Sequence, residues 1–312
     1  MTLAILCSGQ GGQHAGMFDL TGSAPEAAGL FAQATQLLGH DPRDWVRSAG
    51  IEALRINRTA QLLCTLQALS AAAALGDVLP SRRCAAGYSV GEIAAWNVAG
   101  LIEAVDALGL VAARADAMDA ASHGDEGMLF VRGLDLATVT SLCAGQAAAV
   151  AIINPGEACL LAGQRAALEE IAAEARRRGA ARVVPVAVNV ASHTRFLAGA
   201  SSSFRASLAQ VRIAHAPRAG TRLFCGIDGT AVLDVGAGVD KLALQISQPL
   251  LWAACLESCV EAGADAFLEL GPGRALAEMA SSAYSGLAAR SLDDFRSLQG
   301  VRDWLARLED RS

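Results

Sequence analysis

Short apolar runs alternate with alanine-rich stretches of roughly ten to twenty residues along the chain, and this alternation restricts it to an α/β architecture. The runs have the length of buried strands, and the stretches between them have the length of helices. Residues 2–7 read as a strand entering the glycine turn Ser8-Gly9-Gln10-Gly11-Gly12. Residues 62–79 read as a helix, 84–86 as a short buried strand ending at Gly87, and 90–98 and 101–121 as helices, after which Ser122-His123-Gly124-Asp125 breaks the pattern.

From Met128 the order of elements changes. Strand 128–131 is followed by helix 135–147, with Asp135 near its cap. Strands 150–153 and 159–162 then flank the turn Asn154-Pro155-Gly156-Glu157, and helix 165–178 and strand 183–188 complete the series. This β-α-β-β-α-β order is the split βαβ unit of ferredoxin-like folds. It predicts an inserted ferredoxin-like subdomain at 125–195, with 1–124 and 196–312 forming one large unit. In the second part of that unit, helices are expected near 196–209 and 250–262, a strand before Gly226 and another at 266–270. Gly271-Pro272-Gly273 then turns into a helix at 274–284. Phe295, Leu298, Val301, Trp304 and Leu308 make one apolar stripe that should dock the tail on the body.

The 312-residue length allows about two folding units. With 53% hydrophobic and 18% charged residues the chain is globular, not disordered. Lys and Arg number 25 against 31 Asp and Glu, a net charge of −6 with no basic block, so nucleic acid is excluded as a partner. Eight cysteines scattered through a chain of this length read as reduced thiols, and the expected compartment is the cytoplasm. The first apolar run lacks a cationic flank and a cleavage-like site. Segment 62–79 carries Gln67 and Asp77, stops at Pro80, and falls short of the ~20 apolar residues of a membrane span.

The sharpest chemical signal is Gly87-Tyr88-Ser89-Val90-Gly91, a G-x-S-x-G element between a small-residue strand and a helix. Glycines permit a tight turn that projects the Ser89 hydroxyl, and the helix N-terminus places free N–H groups beneath it. The same residue could merely cap the helix. A nucleophilic serine needs a base, and five histidines are available: His14, His40, His123, His193 and His215. His193 lies where the expected subdomain rejoins the body, a natural place for a cleft, and Ser89–His193 is the preferred nucleophile–base pair. Arg114 shares a helical face with Leu110 and Met118, an odd setting for a solvated cation; it either awaits a carboxylate, belongs to an internal salt bridge or snorkels to the surface.

The loop Gly9-Gln10-Gly11-Gly12-Gln13-His14 fails as a dinucleotide fingerprint at His14, but its N–H groups could line an oxyanion pocket. No HExxH or paired CxxC occurs, and Cys255 and Cys259 on one helical face read as core, so no metal is expected.

Together these segments resemble the malonyl-CoA:acyl-carrier-protein transacylase family over about residues 3–285. The resemblance rests on the loop from Gly9 to Met17, Gly87-Tyr88-Ser89-Val90-Gly91-Glu92, Arg114 at 25 positions past the serine, Asn154-Pro155-Gly156, Ser192-His193 and Leu268-Glu269-Leu270-Gly271-Pro272-Gly273. It implies an α/β-hydrolase-like core with a ferredoxin-like insert. It also implies Ser89 as acyl-accepting nucleophile, His193 as general base, the N–H groups of Gln10 and Val90 as oxyanion hole, and Arg114 as the grip on malonate's free carboxylate. A main-chain carbonyl near Leu251 would orient the histidine. Coenzyme A thioesters and an acyl carrier protein would be the reaction partners, with no cofactor. Tyr88 and Val90 depart from the usual Gly-His-Ser-Leu-Gly. With Val190-Ala191-Ser192-His193 and the tail Leu292-Asp293-Asp294-Phe295-Arg296-Ser297-Leu298, Tyr88 looks like the epsilon-subunit branch that charges the carrier subunit of malonate decarboxylase. The alternatives are a fatty-acid-synthesis malonyl transacylase, a serine hydrolase or thioesterase, and a non-catalytic carrier-binding subunit.

Overall fold

Two five-stranded sheets organise residues 1–310, which the computed structural model describes. The strands are β1 (Leu3–Cys7), β2 (Arg83–Gly87), β3 (Glu126–Arg132), β4 (Ala148–Asn154), β5 (Ala158–Gln164), β6 (Arg182–Val186), β7 (Thr221–Phe224), β8 (Leu250–Leu251), β9 (Ala266–Glu269) and β10 (Ala288–Ser291). The first sheet is parallel throughout in the order β10-β9-β1-β2-β7. Both faces of a parallel sheet are covered by helices, which is why β1 reads Leu-Ala-Ile-Leu-Cys without alternation and is buried at every position. Strand order reverses about β1, and the carboxyl ends of β1 and β2 open there into the crevice where α/β sheets bind ligands.

The second sheet has the order β6-β3-β5-β4-β8. Four of its strands and the helices Leu136–Cys143 and Arg165–Arg177 follow the β-α-β-β-α-β sequence, with β3 pairing antiparallel to β5 and β6. One sheet face packs on those two helices through Leu129, Val131, Leu161, Leu168 and Ile171. The other meets the first sheet and helix Trp252–Glu261 through Met128, Ile152, Ala162, Trp252 and Cys255. The fifth strand, β8, comes from far outside 125–195 and runs parallel to β4, with Ile152 opposite Leu250 and Ile153 opposite Leu251. The expected helix at 250–262 therefore begins two residues later, because Leu250 and Leu251 are drawn into the sheet.

The helix expected at 62–79 is Asn57–Ala74. Its first turns hold half-buried Asn57 and fully buried Gln61, polar residues that interrupt the apolar pattern and whose amides bond each other and Arg114. Helices Ala28–Leu38, Pro42–Ser48, Ile51–Arg55 and Val235–Leu244, and strand β10, have no counterpart in the sequence reading. The tail stripe docks as expected: helix Leu298–Glu309 buries Val301, Trp304 and Leu305. All eight cysteines are free, and all but Cys143 are buried. Among the described residues no helix is long and apolar enough to cross a membrane.

Candidate active site

The turn from β2 into helix Gly91–Val98 is set by two glycines. A Cβ on Gly87 would fall 2.2 Å from the Glu92 backbone, and one on Gly91 would fall 2.1 Å from the Cys7 carbonyl oxygen. Only hydrogen fits at either place, so the helix start is pressed against the ends of β1 and β2. Between the glycines, Ser89 takes φ 56°, a left-handed conformation uncommon for a residue with a side chain. Such strain persists where surrounding structure over-determines it. Its hydroxyl points at His193, whose own φ is 61°.

Ser89 Oγ lies 2.7 Å from His193 Nε2, and His193 Nδ1 lies 2.5 Å from the Gln245 carbonyl oxygen. A carbonyl can only accept, so Nδ1 carries the proton and Nε2 is free to receive one from the serine. The orienting carbonyl is thus that of Gln245 and not, as the resemblance implied, one near Leu251. Gln245 caps the C-terminus of helix Val235–Leu244, where carbonyl groups have no intrahelical partner. Leu251 is unsuited because its backbone is engaged in β8 and with Gly226. Burial, the nearby Arg114 charge and, in opposition, the Gln245 bond together bring His193 down to about 3, so the ring is neutral.

Arg114 is 1% exposed and forms no ion pair among the described residues. The expected alternatives of an internal salt bridge or an escape to solvent are both absent. Its Nη1 donates to Gln61 Oε1 at 2.6 Å and its Nη2 to Gln245 Oε1 at 3.1 Å, with Ser89 Oγ 3.4 Å from the same nitrogen. Burial lowers the group to about 10, which still leaves a cation at neutral pH. A guanidinium held by two amide oxygens beside a nucleophilic hydroxyl, with no carboxylate in direct contact, is fitted to receive one.

The glycine loop after β1 reaches the same point. Gly9 sits against the Tyr88 carbonyl and Ser89 Cβ so closely that its own Cβ would lie 2.8 Å from that oxygen. The backbone N–H groups of Gln10 and Val90 donate to no acceptor among the described residues. The loop is braced from behind: Ser8 Oγ donates to Glu269 Oε1 at 2.5 Å, and His14 Nε2 pairs with Asp293 Oδ2 at 2.9 Å. A cavity of about 350 Å³ lies beside it, lined by Gln10, Asn57, Asp119, Ser122, Asn189 and Val190. Tyr88 is packed edge-on against Trp252, with ring centroids 5.3 Å apart.

The structure therefore gathers Ser89, His193, Arg114, Gln10 and Val90 in one place. The remaining histidines stand elsewhere, His40 stacked on Trp45 and His14 paired at the surface. The sequence reading missed Gln61 and Gln245. The signal for Gln245 was Asp234, whose side chain caps Ala237 N and opens a helix with Val235, Val239 and Leu242 on one face; two glycines inside it masked the pattern.

Residues 5–285 match the acyl transferase domain family, and the chain belongs to it. Full-length relatives narrow that class. The chain is 29% identical over 311 residues to the malonyl CoA-acyl carrier protein transacylase of Salmonella typhimurium, covering 96% of this chain and 98% of that one. It is 30% identical over 309 residues to the Escherichia coli K12 protein of the same name, covering 93% and 96%. The crystal structure of the Mycobacterium tuberculosis transacylase superposes with a TM-score of 0.88 at 32% identity, covering 98% and 100%. A Burkholderia pseudomallei acyl-carrier-protein S-malonyltransferase gives 0.88 at 29%, covering 97% and 100%. A malonyl-transacylase solved in complex with a type II polyketide-synthase acyl-carrier protein gives 0.86 at 26%, covering 95% and 97%. The family is that of the malonyl-CoA:acyl-carrier-protein transacylases.

Proposed function

We propose that this chain moves malonyl from malonyl-CoA to the prosthetic-arm thiol of an acyl carrier protein through a malonyl-serine intermediate. The observation that carries the reading is the 2.7 Å contact of Ser89 with His193 beside the Arg114 guanidinium, which no carboxylate touches. Malonyl-CoA docks its carboxylate on Arg114. His193 Nε2 takes the Ser89 proton as Oγ attacks the thioester carbonyl, and the oxyanion is held by the Gln10 and Val90 N–H groups. The carbon–sulfur bond breaks, imidazolium returns the proton to the CoA sulfur, and malonyl-Ser89 remains. The carrier thiol then enters, loses its proton to His193 and reverses the sequence. The Gln245 carbonyl, at the negative end of a helix, favours the imidazolium that forms between steps. No metal or redox cofactor is required, because the thioester is already activated.

The proposal includes a cytoplasmic site of action, in keeping with eight free thiols. It retains 125–195 as the small unit against 1–124 with 196–312, tied together through β8. For the acceptor, Tyr88 favours the carrier subunit of malonate decarboxylase, while the relatives' names fit a fatty-acid-synthesis carrier equally well. Competition between the two purified carriers decides it.

The nucleophile is tested by intact-mass measurement after mixing with malonyl-CoA. The expected result is one malonyl adduct that Ser89→Ala abolishes; an adduct surviving on that variant refutes the assignment. Rapid loss of the adduct to water without a thiol acceptor marks a hydrolase, and carrier binding without any adduct marks a non-catalytic subunit.

A further inference from the structure

A second buried acid lies behind the site and takes no part in the steps above. Glu92 is 1% exposed in the first turn of helix Gly91–Val98. Its Oε2 accepts from Gly226 N at 3.1 Å and from Gln245 Nε2 at 3.0 Å. Its Oε1 accepts no hydrogen bond of normal geometry, although the unpaired Trp96 indole N–H also acts on the carboxylate. The Gln245 amide stands between this acid and Arg114, giving its N–H to Glu92 and its oxygen to the guanidinium. One amide thus spans a buried anion and a buried cation, while the same residue's carbonyl holds His193.

Few other charges face Glu92. Arg114 is the cation acting on it. The Cys225 and Cys255 thiols are raised by burial and by Glu92 and stay neutral. Lys241 is committed to Asp228 at 2.6 Å, and His193 is neutral. With Glu92 ionised, above about pH 7, the empty site therefore holds one positive and one negative charge. A malonyl carboxylate on Arg114 adds a second anion to a space closed to solvent, where an unbalanced charge is costly.

We propose that Glu92 is the proton partner of the acid-binding site: it balances Arg114 while the site is empty, and takes up a proton from solvent when the acyl carboxylate replaces it as the counter-charge. The new O–H bond forms at Oε1, which accepts no hydrogen bond of normal geometry, so the two hydrogen bonds at Oε2 survive. No other bond changes, and water or buffer supplies the proton. Glu92 is a positioning residue, since it acts on the substrate only through Gln245 and Arg114. The inference rests on malonyl loading as proposed above. Burial already holds Glu92 up at about 7, so the direction with pH is fixed: the empty site is largely protonated at pH 6 and largely ionised at pH 8.

The test is titration of the full chain with malonyl-CoA in buffers of different ionisation enthalpy, with adduct quantified by mass. Proton uptake per malonyl-enzyme should be small at pH 6 and approach about one at pH 8. In Glu92→Gln, whose amide reproduces both bonds at Oε2, the adduct should form with no uptake at either pH. Adduct without uptake in the wild type, or the same uptake in Glu92→Gln, overturns the proposal. Absence of any Ser89 adduct in the wild type overturns the malonyl-loading reading instead. If Glu92→Gln fails to fold, infrared difference spectra of the wild type at pH 8 serve. A protonated carboxylic-acid band must appear on loading, and its absence counts against Glu92.

Discussion

Replacing Arg114 by alanine removes the one feature that distinguishes a diacid half-thioester from a simple acyl group. In the acylated serine, a chain of three bonds of about 1.5 Å separates Oγ from the carboxyl carbon, a span that reaches a guanidinium 3.4 Å from Oγ. With the two charges about 4 Å apart, the Coulomb term is about 4 kcal/mol at an effective dielectric of 20. Desolvation of the carboxylate offsets part of it, leaving the ~1.5–3 kcal/mol net of a charged hydrogen bond. Arg114→Ala should therefore lower kcat/KM for malonyl-CoA by about ten- to 150-fold. Acetyl-CoA has no carboxylate and leaves the guanidinium unanswered, so its transfer should be unchanged or improved. The assay is transfer to a carrier thiol from each donor with wild type and variant, with circular dichroism to show that the cavity left between Gln61 and Gln245 is tolerated. Equal loss for both donors would mean that Arg114 only holds the site together, and the selectivity argument would fail.

Other outcomes follow from the same geometry. Because His193 is held down at about 3, the acid limb of kcat/KM should lie well below the usual imidazole range. Arg114→Ala, assayed with acetyl-CoA, should move that limb upward, since a neighbouring cation disfavours the imidazolium; an inflection near 6.5 in the wild type contradicts this. Gly91→Ala forces a methyl to within 2.1 Å of the Cys7 carbonyl and should cost about 1–3 kcal/mol or more together with adduct formation. Native stability with normal acylation would refute that reading of the elbow. Trp304→Ala empties a buried site beside Phe295 and should lower stability by about 3–5 kcal/mol in denaturant melts. A change near zero would show that the tail packs without contributing.

The nucleophile elbow was legible because its rules are local. A small-residue strand, two glycines and a helix start within a few residues fix where the Ser89 hydroxyl points, whatever surrounds them. The βαββαβ series was legible for the same reason, through period and turn residues at 154–157. Helix Val235–Leu244 was not, since Gly236 and Gly238 weaken its pattern. Gly238 is there because a Cβ would meet Val232 at 2.8 Å and the Trp96 ring at 3.1 Å, a demand that no local rule expresses. Asn57 and Gln61 misplaced a helix start for a related reason: both are polar by sequence, yet Gln61 is interior and Asn57 is half-buried against it.

By itself the sequence determined the layered α/β frame, the projection of Ser89, and the docking of the tail through Val301 and Trp304. It also supplied five histidines without ranking them by contact, and an arginine whose partner was open. Only the tertiary structure brought His193 to Ser89 across 104 positions, and set Gln245 against Arg114 across 131. It also chose the carbonyl of Gln245 over Leu251 and, among the described residues, set an amide instead of a carboxylate against Arg114. Hydrogen-bonded backbone patterns repeat every two or four residues and are written in short windows. The meeting of side chains from separate elements is decided by how sheets and helices pack, and charge and proton affinity follow from that burial.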